Sequence, residues 1–222
     1  MRRLLLLSAL VGSLFSGFTL AADHPEIVQQ GFSPDARYHL LLTSMLRDAS
    51  GFPSAALQIT DVRRNVIVYR REMDWGENEA RPLEVLVDGW RRSQAAVLNR
   101  YHLSRPVAGQ RLFTVEPLPM LDYPPLGTVT RATPAGLLSL KTSTLRSGCQ
   151  FNDFPTQGFS LKLNARTLQT DVRLPRSRQC ASGYTLETAW RYKTALAVVV
   201  RSYTQAFEGP DVIPLVVTAR LK

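Results

Sequence analysis

The alternation of apolar and polar positions divides the chain into many short segments and one long periodic one. Tyr38-His-Leu-Leu-Leu-Thr-Ser44 and Ala55-Ala-Leu-Gln-Ile-Thr-Asp61 read as two strands joined by the loop Asp48-Ala-Ser-Gly-Phe-Pro53. Val66-Ile-Val-Tyr-Arg70 returns as a third strand through Arg63-Arg-Asn65, and Glu26 to Phe32 forms a short leading strand. The far end repeats this plan. Ala195-Leu-Ala-Val-Val-Val-Arg-Ser202 runs out, Ala206-Phe-Glu-Gly-Pro-Asp211 turns, and Val212-Ile-Pro-Leu-Val-Val-Thr218 returns. Between these hairpins, residues 111–115, 128–132, 137–142, 159–163, 169–174 and 184–190 read as further strands, the last three alternating. Short strands spaced by turns predict antiparallel sheets rather than a doubly wound sheet.

The long periodic segment follows Pro82, a residue suited to a first helical turn. Leu83, Leu86, Val87, Trp90, Val97, Leu98 and Tyr101 recur at offsets 0, 3, 4, 7, 14, 15 and 18. This spacing predicts one helix of about five turns, with acid before its start and Arg100 near its end matching the macrodipole. The fold class is therefore mainly β (α+β): antiparallel blade-like sheets, a sandwich being one arrangement open to them, with one long amphipathic helix packed on a sheet face. Two blade-like sheets, one from each half, are expected to share a core. Residues 22–222 are expected to form a single β-rich domain, with a possible sub-boundary in the Pro-rich crossing 116–126 (Pro117, Pro119, Pro124 and Pro125).

Composition changes the picture at the N-terminus first. Arg2 and Arg3, the apolar run Leu4 to Leu20, and Thr19-Leu-Ala21 predict a signal peptide over residues 1–21, cut before Ala22 or Asp23. No second apolar segment is long enough to span a membrane. The expected location is periplasmic or secreted. Without Arg2 and Arg3 the chain has 25 basic against 18 acidic side chains, a surplus of seven. Such a surplus suits an anionic envelope polymer. However, no basic run exceeds two residues, so the charge reads as dispersed, and nucleic acid is a poor partner for such a chain. Cys149 and Cys180 predict a disulfide in an oxidising compartment, roughly 3–4 kcal/mol for a loop of about 30 residues.

Two stretches together resemble a known family. Phe32-Ser-Pro-Asp-Ala-Arg-Tyr38 with Ser50-Gly-Phe-Pro53 and Ile59-Thr-Asp-Val62 is similar to the N-terminal part of a family of predicted secreted bacterial proteins. Leu174-Pro-Arg-Ser-Arg-Gln-Cys180 and Phe207-Glu-Gly-Pro-Asp211 resemble its C-terminal half. The resemblance covers nearly all of the mature chain, implies export, and brings no activity with it. Phe-Ser-Pro-Asp-x-Arg also resembles the turn motif in blades of TolB-like and WD40-like propellers. In those blades a glycine usually follows the aspartate, and here Ala36 takes its place, where a left-handed conformation would cost about 1 kcal/mol.

For chemistry the chain is sparse. Gly-x-Ser-x-Gly, Ser-x-x-Lys and His-Glu-x-x-His are absent, and the three histidines, His24, His39 and His102, have no nucleophile partner in the pattern. No catalytic residue, metal ligand set or cofactor is predicted. The candidate binding residues are Asp48, Phe52, Trp75, Phe207, Glu208 and Asp211. If the terminal hairpins are counterparts, their loops lie at one end of the fold and form an acidic cleft. The simpler reading is that these carboxylates satisfy turn backbone, that Phe52 and Phe207 plug the core, and that Trp75 anchors the helix start. The expected function is a non-enzymatic exported protein binding an envelope protein or an anionic envelope polymer, through loop ends or a sheet face. The alternative is an envelope enzyme acting on glycan or peptide through loop carboxylates.

Overall fold

The run Ala195-Leu-Ala-Val-Val-Val200 is buried along its whole length, with no residue more than 1% exposed. A strand that is apolar on both faces needs a partner layer on each side, and the rest of the fold supplies two. The structure, a computed structural model, describes residues 22–48, 50–76, 79–116, 118, 122–149, 154–206 and 209–221. The signal-peptide segment and the candidate residues Phe207 and Glu208 lie outside the described residues.

Among the described residues, three antiparallel sheets of four strands each are formed. The first holds β1 (Glu26–Phe32), β2 (Tyr38–Leu46), β3 (Pro53–Asp61) and β4 (Val66–Asp74) in chain order. The helical segment comes next, α1 (Leu83–Ser93) and α2 (Ala95–Arg100), and then β5 (Gln110–Thr114). A third sheet holds β6 (Thr128–Thr133), β7 (Gly136–Thr144), β8 (Gln157–Leu163) and β9 (Arg166–Thr170), again in chain order. The last three strands, β10 (Ala181–Tyr192), β11 (Ala195–Gln205) and β12 (Pro210–Arg220), join β5 in a central sheet ordered β12-β11-β10-β5.

Three apolar clusters hold these layers together. Leu196, Val198 and Val200 of β11 face Leu138, Leu140, Phe159 and Leu161 of the third sheet. Ala197 and Val199, pointing the other way, meet Phe32 and Leu41 of the first sheet and Val62 just after β3. The opposite face of the first sheet, Leu40, Leu42, Leu57 and Ile59, is covered by Val87, Trp90 and Leu98 of the helices. Each fully buried side chain of this size contributes about 1.5–3 kcal/mol, so successive positions of β11 stabilise two different interfaces.

Two expectations need correction. The long helix is two helices, and among the described residues α1 is the only one of seven residues or more. The break falls at Gln94, offset 11, where the apolar stripe has a polar residue. Gln94 is buried, its amide takes a hydrogen bond from Tyr69 Oη at 2.9 Å, and its N–H bonds back three residues to Arg91 O. Satisfying a buried amide there costs the regular helix. Secondly, there are three sheets rather than two. The stretch 128–170 closes on itself as a meander, while β5 crosses to pair with β10.

Smaller features follow the sequence closely. Ser33, Pro34, Asp35 and Ala36 form the expected turn, closed by Ala36 N–H to Ser33 O at 2.8 Å. Ala36 does take the left-handed conformation, φ 58°. The strand expected over 169–174 ends at Thr170, because Asp171 turns inward to Phe159 and Arg178. Gly31 is required by close approach: a Cβ there would lie 3.0 Å from Val107 O, in the loop that bridges to Phe32. The cysteines pair as expected, Cα to Cα 5.1 Å.

Candidate functional site

The loops of the two terminal hairpins do lie together, and the segment Ala22–Pro25 runs between them. Ala22 N–H donates to Asp48 Oδ2 at 2.6 Å, and Asp23 N–H donates to Asp211 Oδ1 at 2.9 Å. Asp23 also accepts from Asp48 N–H at 3.3 Å and from Arg47 Nη1 at 2.9 Å, while Val212 N–H donates to Asp23 O. The carboxylates of Asp48 and Asp211 are thus engaged on the backbone of the N-terminal segment rather than on that of their own turns. Burial, and then the nearby Asp23 charge, push the Asp211 carboxyl above the ordinary carboxylate range.

The expected aromatic residues separate. Phe52 stays in the β2–β3 loop, half-buried, its carbonyl accepting from Arg47 N–H at 2.9 Å. Trp75 belongs to the helix side, edge-on to Trp90 with ring centroids 6.4 Å apart. Its N–H on the main chain donates to Pro53 O at 3.0 Å. Its ring packs against the helical segment at Trp90 and does not line the cleft beside the acidic loops. Beside those loops, a cleft of about 250 Å³ opens between the first sheet and β12, floored by Thr43, Ser54 and Gln58 and edged by Arg47, Arg70 and Asp74.

A different surface stands out by charge. The four strands of the third sheet contain 27 residues, with Arg131, Lys141, Lys162 and Arg166 among them and no Asp or Glu. Over the whole segment 128–178 there are eight Lys/Arg against two Asp/Glu, a surplus of six. The remainder of residues 22–222 has 17 basic against 16 acidic, a surplus of one. Dispersal along the chain therefore does not mean dispersal in space: nearly the entire charge excess belongs to one sheet, its loops and the connection from that sheet to β10.

Strand register arranges that sheet's outer face. Leu138, Leu140, Leu161 and Leu163 point into the core, so the alternate positions point out. Lys141 lies opposite Ser160 and Thr128, and Lys162 lies opposite Ser139. The two lysines are diagonal neighbours, about 7–8 Å apart by strand geometry. Both are exposed, and no described carboxylate pairs with either. Hydroxyls of Thr128, Ser139, Ser143 and Ser160 complete a shallow trough of about 390 Å³. The adjoining charge of Arg178 is already neutralised by Asp171 and does not count toward this face.

The chain belongs to the predicted secreted protein family, whose profile matches residues 42–220. It is an exported protein, which the disulfide also fits. No curated protein and no solved structure matches the chain. No described helix is long and apolar enough to cross a membrane.

Proposed function

We propose that this is a non-enzymatic protein of the cell envelope that binds an anionic polysaccharide on the outer face of its third sheet. The observation that carries the reading is the pair Lys141 and Lys162 side by side on the outer face of a sheet with no acidic residue in its strands, within a segment, 128–178, that holds a surplus of six charges. Lysines supply mobile point charges for carboxylate or phosphate groups, and serine and threonine hydroxyls both donate to and accept from sugar hydroxyls. A flat, two-lysine face tracks a repeating chain better than it encloses a small molecule. The acidic loops are a weaker basis for function, since Asp48 and Asp211 are spent on the backbone of Ala22 and Asp23.

The test is co-sedimentation of the protein with an uronic-acid polysaccharide and with a neutral glucan. Retention on the acidic polymer, lost above about 0.5 M salt and weakened at least tenfold in Lys141→Glu/Lys162→Glu, supports the reading. Equal retention on both polymers, or an unchanged affinity in the double variant, overturns it.

A further inference from the structure

The anchoring of residues 22–25 points to a role for the processed N-terminus itself. Every residue from Ala22 onward is held. Ala22 is 3% exposed with its nitrogen 2.6 Å from Asp48 Oδ2. Asp23 bonds to both hairpins, His24 Nε2 lies 3.0 Å from Pro210 O, and Pro25 O accepts from Arg201 Nη1 at 2.6 Å. Around this segment stand Asp23, Asp48, Asp74 and Asp211, with Arg47 bridging Asp23 and Asp74. Arg47 thus serves two of these four carboxylates, and among the described residues Asp48 pairs with no cation.

We infer that the signal peptide is cut between Ala21 and Ala22, and that the new α-ammonium of Ala22 forms an ion pair with Asp48 that locks the first and central sheets together. The cut is a peptide hydrolysis: water adds across the bond, leaving a carboxylate on Ala21 and an ammonium on Ala22. The small residues Thr19 and Ala21 suit that bond. A cut one residue later would remove the Ala22 nitrogen and leave Asp48 without this donor. An ammonium in place of an amide N–H makes the existing contact charge-assisted and adds a second positive charge to that of Arg47 among the four carboxylates. Processing then does more than release the protein: it finishes the joint between its two terminal hairpins.

Two measurements on the exported, processed protein decide this. N-terminal sequencing is expected to begin at Ala22; a start at Asp23 overturns the inference. The processed protein is then compared with an otherwise identical one in which the α-amine is acetylated. Acetylation is expected to lower the unfolding midpoint by about 4 °C or more, with little effect in an Asp48→Asn background. Equal midpoints for the free and acetylated forms in the wild-type background would sink the ion pair, whether or not Asp48→Asn folds.

Discussion

Arg178 and Asp171 form a two-pronged ion pair, Nη1 to Oδ2 at 2.7 Å and Nη2 to Oδ1 at 2.9 Å, with side chains only 9% and 6% exposed. The guanidinium also lies over Phe159 and Tyr184, 5.2 and 5.6 Å from the ring centroids, and Nη1 donates to Tyr184 Oη. Asp171 in turn accepts from Phe159 N–H. The pair therefore joins the end of β9, the strand β8 and the strand β10 of the central sheet.

Removing one member of such a pair strands the other in a dry site. Asp171→Ala is expected to cost about 3–5 kcal/mol, read as a fall in the urea midpoint with an unchanged slope. Arg166→Ala, an exposed cation of the same sheet, is expected to change stability by less than about 1 kcal/mol. Similar losses in both variants would show that the buried pair has no special weight.

Acid sensitivity has a specific source in His39. The ring is buried, with Nε2 3.0 Å from Gln30 Oε1 and Nδ1 without a partner. Burial lowers its pKa from 6.5 to about 3. The folded state thus holds His39 neutral while the unfolded chain protonates it below about pH 6.5. Between those values the unfolded state binds more protons, so stability falls as pH falls, by up to about 1.4 kcal/mol per pH unit. His39→Leu is expected to flatten this slope and to be no less stable at pH 5 than wild type. A slope retained in full by the variant assigns the acid loss to other groups.

Trp75 separates an anchor from a ligand platform. Trp75→Ala is expected to cost about 2–3 kcal/mol by uncovering Trp90, without changing affinity for an acidic polysaccharide. Lost affinity at unchanged stability would place Trp75 in the binding surface instead.

Strand positions were legible wherever one face was buried, as in Phe159-Ser-Leu-Lys-Leu163. The apolar run of β11 was legible as a strand, but its position between two sheets was not drawn from it. The break at Gln94 was also written in the helix stripe, as a polar residue at offset 11 that the surrounding leucines and Trp90 outweighed. The bonds of Asp48 and Asp211 to Ala22 and Asp23 were not legible, because they depend on a segment with no strand pattern. The basic face was not legible because Lys141 and Lys162 stand in two different strands, separated by a long loop. Only the meander of β6 to β9 brings them onto one sheet.

Binding of an acidic polymer on that sheet is tested most directly through its lysines. Lys141 and Lys162 share its outer face, whereas Lys193 lies at the β10–β11 turn with Nζ 2.6 Å from Pro34 O. Amine acetylation, read residue by residue by mass spectrometry with and without a bound uronic-acid polysaccharide, is expected to show several-fold protection of Lys141 and Lys162 and none of Lys193. Protein bound to the polymer with Lys141 and Lys162 labelled as fast as in its absence would contradict the account.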